Sequence, residues 1–207
     1  MSVAIISAGT MGAGLARRIA ATGENVLLTG RDPTRIAMIA VDMPGDVKPG
    51  PISHVVQSDM VILAVPYSAA ADALAEAGPL TGKVLVDISN PVGPERSLAI
   101  GMTTSAGEEI QKLVPQARVV KAFNTIFSEL LGLKLSEPDK PPQVMFAGDH
   151  EFANHKVEEL IRAIGFEPLD VGPLKNARFM EPVGVMMIEL GYGLGRGTRI
   201  APRFVEY

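Results

Sequence analysis

The 207-residue chain contains no cysteine and only three histidines. Without thiols there are no disulfides, no thiolate nucleophile, no cysteine-type zinc site and no iron–sulfur cluster. His54, His150 and His155 are scattered with no i,i+4 pair, so no metal site is expected. An H-E-x-x-H run, a G-x-S-x-G elbow and a P-loop lysine are also missing, which removes the hydrolase and kinase readings. Basic excess is lacking too: 19 Lys and Arg against 23 Asp and Glu leave a net charge of −4. Nucleic acid and anionic membrane surfaces are therefore poor partners. No apolar run approaches the roughly 18 residues of a membrane span. The longest, Val183 to Leu194, is broken by Glu189 and three glycines. The opening MSVAIISAG has no basic region and turns glycine-rich, so it reads as a first strand rather than a signal peptide. A cytoplasmic protein is expected.

What is present is ample apolar material, 47% of the chain, enough for one core with an appendage or at most two small domains. Short runs of Val, Ile and Leu recur at Val3–Ile6, Asn25–Thr29, Val61–Val65, Val84–Ile88, Val119–Phe123 and Val144–Ala147. Continuous apolarity without alternation suits parallel strands covered on both faces. Helical stretches lie between them at Thr10–Thr22, Ala69–Ala77, Ser105–Leu113 and Phe152–Ile164. Ser105 with Glu108 forms a capping box, and Gly23 follows the first helix as a C′ residue. Pro44–Pro51 and Glu137–Pro142 read as loops on composition. Beyond Gly165, Glu167–Gly172 reads as extended and Ala177–Leu190 as a Met-rich apolar helix. The expected fold is α/β: a doubly wound, Rossmann-type parallel sheet with a small, mainly helical C-terminal subdomain. The division is placed at 1–148 for the dinucleotide-binding part and 149–207 for the part that completes a substrate pocket and a homodimer interface.

The first strand runs into Ser7-Ala8-Gly9-Thr10-Met11-Gly12-Ala13-Gly14 and then an amphipathic helix. A dinucleotide site needs glycines at the turn, at the approach of the pyrophosphate and at the helix–strand contact. Gly9 and Gly12 fill the second and third places, while Ser7 stands in the first. Backbone N–H groups of Gly9, Thr10 and Met11 are expected to face the pyrophosphate. At the end of the second strand, Leu28-Thr29-Gly30-Arg31-Asp32-Pro33-Thr34-Arg35 has glycine where an NAD enzyme carries an acid. Arg31 and Arg35 suit a 2′-phosphate and Asp32 reads as a helix cap, so NADP is expected over NAD.

The motifs ILAVPY (Ile62–Tyr67), VDISNP (Val86–Pro91), RVVKAFNT (Arg118–Thr125) and LDVGPLKNAR (Leu169–Arg178) complete the pattern. Over nearly the whole chain this set resembles the NADP oxidoreductase family that includes coenzyme F420-dependent NADP reductase; the cytosolic domains of STEAP metalloreductases share the plan. The resemblance implies a dinucleotide-binding domain with a small C-terminal part closing over the nicotinamide. It places Thr10, Met11, Arg31 and Arg35 on the adenosine phosphates, with Ser7, Ala8, Gly9, Gly12, Thr29 and Gly30 in the same cofactor site. Ala64, Val65, Pro66 and Tyr67 would follow the third long strand beside ribose and nicotinamide. Asn90 and Pro91 end the next strand, and Ala122, Phe123 and Asn124 the one after. Ser7, and Gly30 where family members often carry Ser or Thr, depart from the pattern.

Several residues also have plainer readings. Tyr67 also reads as covering a loop, Asp87 as bracing backbone, and Asn124 as a turn residue rather than a carboxamide contact. Lys175 reads as a solvated charge, Arg178 as the i,i+3 partner of Glu181, and Met180, Met186 and Met187 as core or dimer packing. Strand alternation sends Lys121 and Asn124 to opposite sides. No acid–base pair emerges, which suits hydride transfer between NADP(H) and a flat acceptor, coenzyme F420 or a flavin. Two alternatives stay open: an NADPH-dependent reductase of a small carbonyl or imine, and a non-catalytic NADP-binding sensor. The expected partners are a small-molecule electron acceptor and a second copy of the chain.

Overall fold

The structure, a computed structural model, describes residues 1–133 and 141–205. Its strands are β1 (Ser2–Ile6), β2 (Asn25–Thr29), β3 (Val47–Gly50), β4 (Met60–Leu63), β5 (Val84–Asp87), β6 (Arg118–Ala122), β7 (Gln143–Gly148) and β8 (Glu167–Asp170). Its helices are α1 (Thr10–Ala20), α2 (Pro33–Val41), α3 (Ala70–Ala77), α4 (Ala106–Leu113), α5 (Ser128–Gly132), α6 (Glu151–Ala163) and α7 (Ala177–Ile188), the last running on into a wide π-type turn at Glu189–Gly193. The strands form one sheet in the order β3-β2-β1-β4-β5-β6-β7-β8. Every neighbouring pair is parallel except β6 with β7. This is the Rossmann-type doubly wound fold.

Successive strand residues point to opposite faces, so the apolar runs feed two cores. Val3, Ile5, Met60 and Ile62 pack under α1, α5 and α6. Ala4, Ile6, Val61 and Leu63 pack under α3 and α4. Each fully buried aliphatic side chain contributes about 1.5–3 kcal/mol, so the central strands are fixed from both sides. Arg18 ties α1 to the neighbouring layer: its guanidinium donates to the carbonyls of Leu130, Leu131, Leu133 and Ile164 at 2.6 to 3.0 Å. Burial there lowers its pKa.

One expectation changes. Pro44–Pro51 is not wholly a loop, because Val47–Gly50 pairs with β2 as an edge strand. An edge position tolerates Pro49, whose missing N–H needs no partner on the open side. The sheet also runs past residue 148, since α6 covers it and β8 extends it to Asp170. The loop expected at Glu137–Pro142 lies mostly outside the described residues.

Candidate active site

The turn from β1 into α1 shows how serine serves at the first glycine position. Ser7 adopts φ 95°, the left-handed region that favours glycine, at a cost on the order of 1–3 kcal/mol. Its N–H donates to Thr29 O at 3.0 Å, and its Oγ accepts from the Gly9 N–H at 3.3 Å. The Gly9 N–H thus meets the Ser7 hydroxyl within the turn. Gly12 is required by the fold, since a Cβ there would overlap the Ser7 carbonyl oxygen. Gly9 is not: a Cβ would meet only Ser7 Oγ, at 3.6 Å. The glycine leaves an open cradle beside the N-terminus of α1, which has no side-chain cap and no acid in its first turn. Such a helix end suits an anion.

On one side of this turn lies a cavity of about 340 Å³. Arg31, just after β2, and Arg35, in the first turn of α2, border it together with apolar Ile36, Ile52 and Ala73. Asp32 is a cap, as expected: its Oδ1 accepts from the Arg35 N–H at 3.0 Å, and Pro33 begins α2. Among the described residues neither arginine is in a salt bridge. The opposite wall carries Asp72 and Glu76 of α3. Sequence reading missed these acids, which lie far along the chain from Gly30 although one turn apart on their helix.

On the other side lies a cavity of about 240 Å³ beyond the carboxyl ends of β5 and β6, between Thr10 and Met11 of α1 and the Gly184–Ile188 face of α7. Phe123 turns the chain here with φ 59° while fully buried. Asn124 Nδ2 donates to Asn90 Oδ1 at 3.0 Å and to Met180 O at 2.9 Å, and Asn90 Nδ2 donates to Asn124 O at 2.7 Å. Both hydrogens of the Asn124 amide are used, while its Oδ1 and the Thr125 hydroxyl have no partner among the described residues. Buried polar atoms are seldom left this way, and both residues border the cavity. Phe127 and Tyr192 meet edge to face at 5.7 Å on its outer wall. Tyr192 was missed because its π-type turn breaks the helical period.

Behind the second cavity is a buried ionic set. Asp87 and Lys121 are register partners on β5 and β6, on the face covered by α4. Lys121 Nζ binds Asp87 Oδ2 at 2.8 Å, Glu181 Oε1 at 2.9 Å and Ser89 O at 2.5 Å. Asp87 also braces backbone, accepting the Ser89 N–H at 2.9 Å. Glu181 accepts the Ala106 and Gly107 N–H groups at the N-terminus of α4, at 2.9 and 3.1 Å. The expected Arg178–Glu181 pair is therefore not formed. Arg178 reaches across to Glu108 with two bonds of 2.6 and 2.8 Å, and Glu108 is joined to Ser105 as well. Burial, then the charges of Glu109, Glu181 and Asp87, pushes the Tyr67 phenol up, so it stays protonated at neutral pH.

The first cavity gathers Ser7, Ala8, Gly9, Gly30, Arg31, Arg35, Val65 and Pro66. The second gathers Thr10, Met11, Asn90, Phe123 and Asn124. Gly12, Thr29, Ala64, Tyr67, Pro91 and Ala122 border neither. Thr29 is buried, its hydroxyl bonded to Ile5 O at 3.0 Å, and Ala122 belongs to the core with Val120 and Phe146. Once Phe123 leaves the strand conformation, Ala122 and Asn124 no longer share a face. Lys175 is exposed, as expected; Met180 and Met187 are buried and Met186 is exposed.

An anion cradle at the first βα turn and cavities beyond the carboxyl ends of a doubly wound sheet define a dinucleotide-binding protein. The family model for NADP oxidoreductase, coenzyme F420-dependent, matches residues 2–91. The F420-dependent NADP reductase of Methanothermobacter thermautotrophicus is 30% identical over 92% of this chain and 89% of its own length. The chain belongs to this family and is an NADP-dependent oxidoreductase. Metalloreductase STEAP3 of Rattus norvegicus is 34% identical over 90% of the chain, which spans only 37% of that protein. The crystal structure of a candidate F420-dependent NADP reductase from Arthrobacter sp. FB24 superposes with a TM-score of 0.88 at 27% identity, over 100% of both chains. Among the described residues no helix is long and apolar enough to cross a membrane.

Proposed function

We propose that this chain transfers hydride between NADP(H) and a flat, flavin-type acceptor, with coenzyme F420 the first candidate. One observation carries the reading: the cavity beyond β5 and β6 is bordered by apolar, amide and hydroxyl groups, with no Asp, Glu, His or Lys side chain. Transfer between two planar rings needs them held at about 3 to 3.5 Å and needs no side-chain proton donor, because the ring nitrogen of the reduced acceptor takes its proton from water. The adenosine end of NADP(H) fits the cavity with Arg31 and Arg35, the diphosphate fits the Gly9 cradle, and the nicotinamide end fits beside Asn90 and Asn124. When bound, the nicotinamide supplies the hydride chemistry. The protein's part is to orient the rings and exclude water, with Phe123, Phe127 and Met187 forming apolar walls.

A panel assay tests this: NADPH oxidation with F420, FMN, FAD, ferric chelates, small carbonyls and imines. Turnover with F420 or a flavin supports the reading. The Tyr192 hydroxyl borders the cavity and keeps the carbonyl or imine reductase as a second reading, which requires turnover on that panel and its loss in Tyr192→Phe. Oxidation with none of them favours a sensor.

We further infer a cytoplasmic homodimer in which residues 1–148 form the cofactor half and 149–207 complete the acceptor pocket. Phe179 and Met186 on the outer side of α7, with Tyr192 and Leu194 beyond it, are exposed apolar surface of the kind that marks an interface. Light scattering should return twice 21.9 kDa; a monomer at micromolar concentration contradicts it.

A further inference from the structure

Among the described residues the wall of the second cavity holds no ionisable side chain except the Tyr192 phenol, yet residues next to it in the chain belong to a buried ionic set. The side chains of Lys121, Asp87 and Glu181 are fully buried. Every carboxylate oxygen of the set accepts a hydrogen bond. Asp87 Oδ1 takes the Ser89 N–H and Oδ2 takes Lys121. Glu181 Oε1 takes Lys121 and the Gly107 N–H, and Oε2 takes the Ala106 N–H. Counted by formal charge, the set holds two acidic side chains against one basic one, a formal excess of one negative charge.

The N-terminus of α4 offsets roughly half of that charge. The remainder acts inside a dry core, where screening is weak. The set adjoins the cavity wall through the chain itself. Ser89, whose carbonyl binds Lys121, precedes Asn90; Glu181 follows Met180, whose carbonyl binds Asn124.

We propose that Asp87 and Glu181 bias the bound cofactor toward its oxidised form by placing excess negative charge behind the nicotinamide end of the site. The inference rests on the NADP(H) reading above. The nicotinamide ring carries a formal positive charge in NADP⁺ and none in NADPH, so a fixed negative field favours the first alone. Contacts to the phosphates and adenine are common to both forms and cancel in the ratio of their affinities. Departure of hydride from the reduced ring is favoured by the same field.

Calorimetric dissociation constants for NADP⁺ and NADPH test this in the parent, Glu181→Gln and Asp87→Asn. The double variant Glu108→Gln/Arg178→Gln serves as a control that loosens α4 from α7 without altering the net charge. A unit charge about 10 Å away, acting through an effective dielectric of about 20, corresponds to roughly a tenfold change. NADP⁺ binding should therefore weaken about tenfold relative to NADPH in each buried-carboxylate variant, while the Glu108→Gln/Arg178→Gln control moves both forms equally. Equal weakening of the two forms in Glu181→Gln and Asp87→Asn overturns the proposal, leaving these residues only a role in holding α7. Where a thermal melt shows one variant unfolded, the other decides. If neither folds, tighter binding of NADPH than NADP⁺ by the parent overturns it. A folded parent that binds neither form refutes the cofactor reading, and this inference with it.

Discussion

Gly184 of α7 lies directly over the side chain of Asn90: a Cβ at Gly184 would sit 2.7 Å from Asn90 Nδ2 and overlap Oδ1. The helix that closes the acceptor cavity thus touches the sheet through a residue with no side chain, at the amide that holds Asn124. Gly184→Ala must push α7 away from β5 or turn Asn90 out of its bond. A displacement of about 1 Å at a reacting centre costs up to about a hundredfold in rate. The expected outcome is a large fall in kcat, with NADPH affinity changed less than fivefold because Arg31 and Gly9 are untouched. Steady-state kinetics and calorimetry on one preparation separate the two.

Ala122 sits in the core with Val120 and Phe146 and not on the acceptor cavity. Ala122→Leu should therefore act as overpacking, costing about 1–3 kcal/mol. At this size that lowers Tm by roughly 2–12 °C. A melt unchanged within a degree, together with lost turnover, would return Ala122 to the ring site.

The Glu108–Arg178 pair gives a pH signature. Its hydrogen bonds from Arg178, with a further bond to Ser105, hold the Glu108 carboxyl below its ordinary value against the opposing effect of burial. A depressed folded pKa contributes stability that is fully present above the unfolded value, about 4.3, and is lost as pH falls through the folded value. Glu108→Gln should be less stable than the parent at pH 7, and the gap should close between about pH 5 and pH 3. Thermal melts across that range check it; a gap that widens toward acid would contradict the assignment.

Arg31 carries the preference for NADP(H) in this account. A charge-assisted hydrogen bond is worth about 1.5–3 kcal/mol, so Arg31→Ala should weaken NADPH roughly ten- to a hundredfold and leave NADH nearly unchanged. Asp72→Asn and Glu76→Gln on the facing wall should do the opposite, strengthening NADPH severalfold by removing charges that repel the phosphate. Equal effects on NADPH and NADH would remove these residues from the 2′-phosphate end.

The parallel strands were legible because Val3–Ile6, Val84–Ile88 and Val119–Phe123 are unbroken apolar runs, and both faces of the sheet are indeed covered. β3 was hidden by Pro49 and Gly50, residues an edge strand can carry and a central one cannot. The five residues of α5 are too few to show a helical period. Glu181 was readable in principle. It falls on the buried stripe Ala177, Met180, Glu181, Gly184 and Met187, and Lys121 interrupts an apolar strand. Two charges at core positions call for each other, but sequence does not show that α7 brings Glu181 to Lys121 of β6, so Arg178 took the partner's place. Asp72 and Glu76 were opaque for the same reason: only the fold brings α3 opposite Arg31.

The most direct test of the central claim follows a labelled hydride. NADPH carrying deuterium at both positions of the reactive carbon of the nicotinamide is oxidised by the protein in ordinary water with F420 as acceptor, and the reduced acceptor is examined by mass spectrometry. Direct transfer between the rings predicts one deuterium bound to the deazaflavin ring carbon, where it cannot exchange with solvent. Reduced F420 without deuterium, or NADPH left unoxidised beside every flat acceptor, would contradict it.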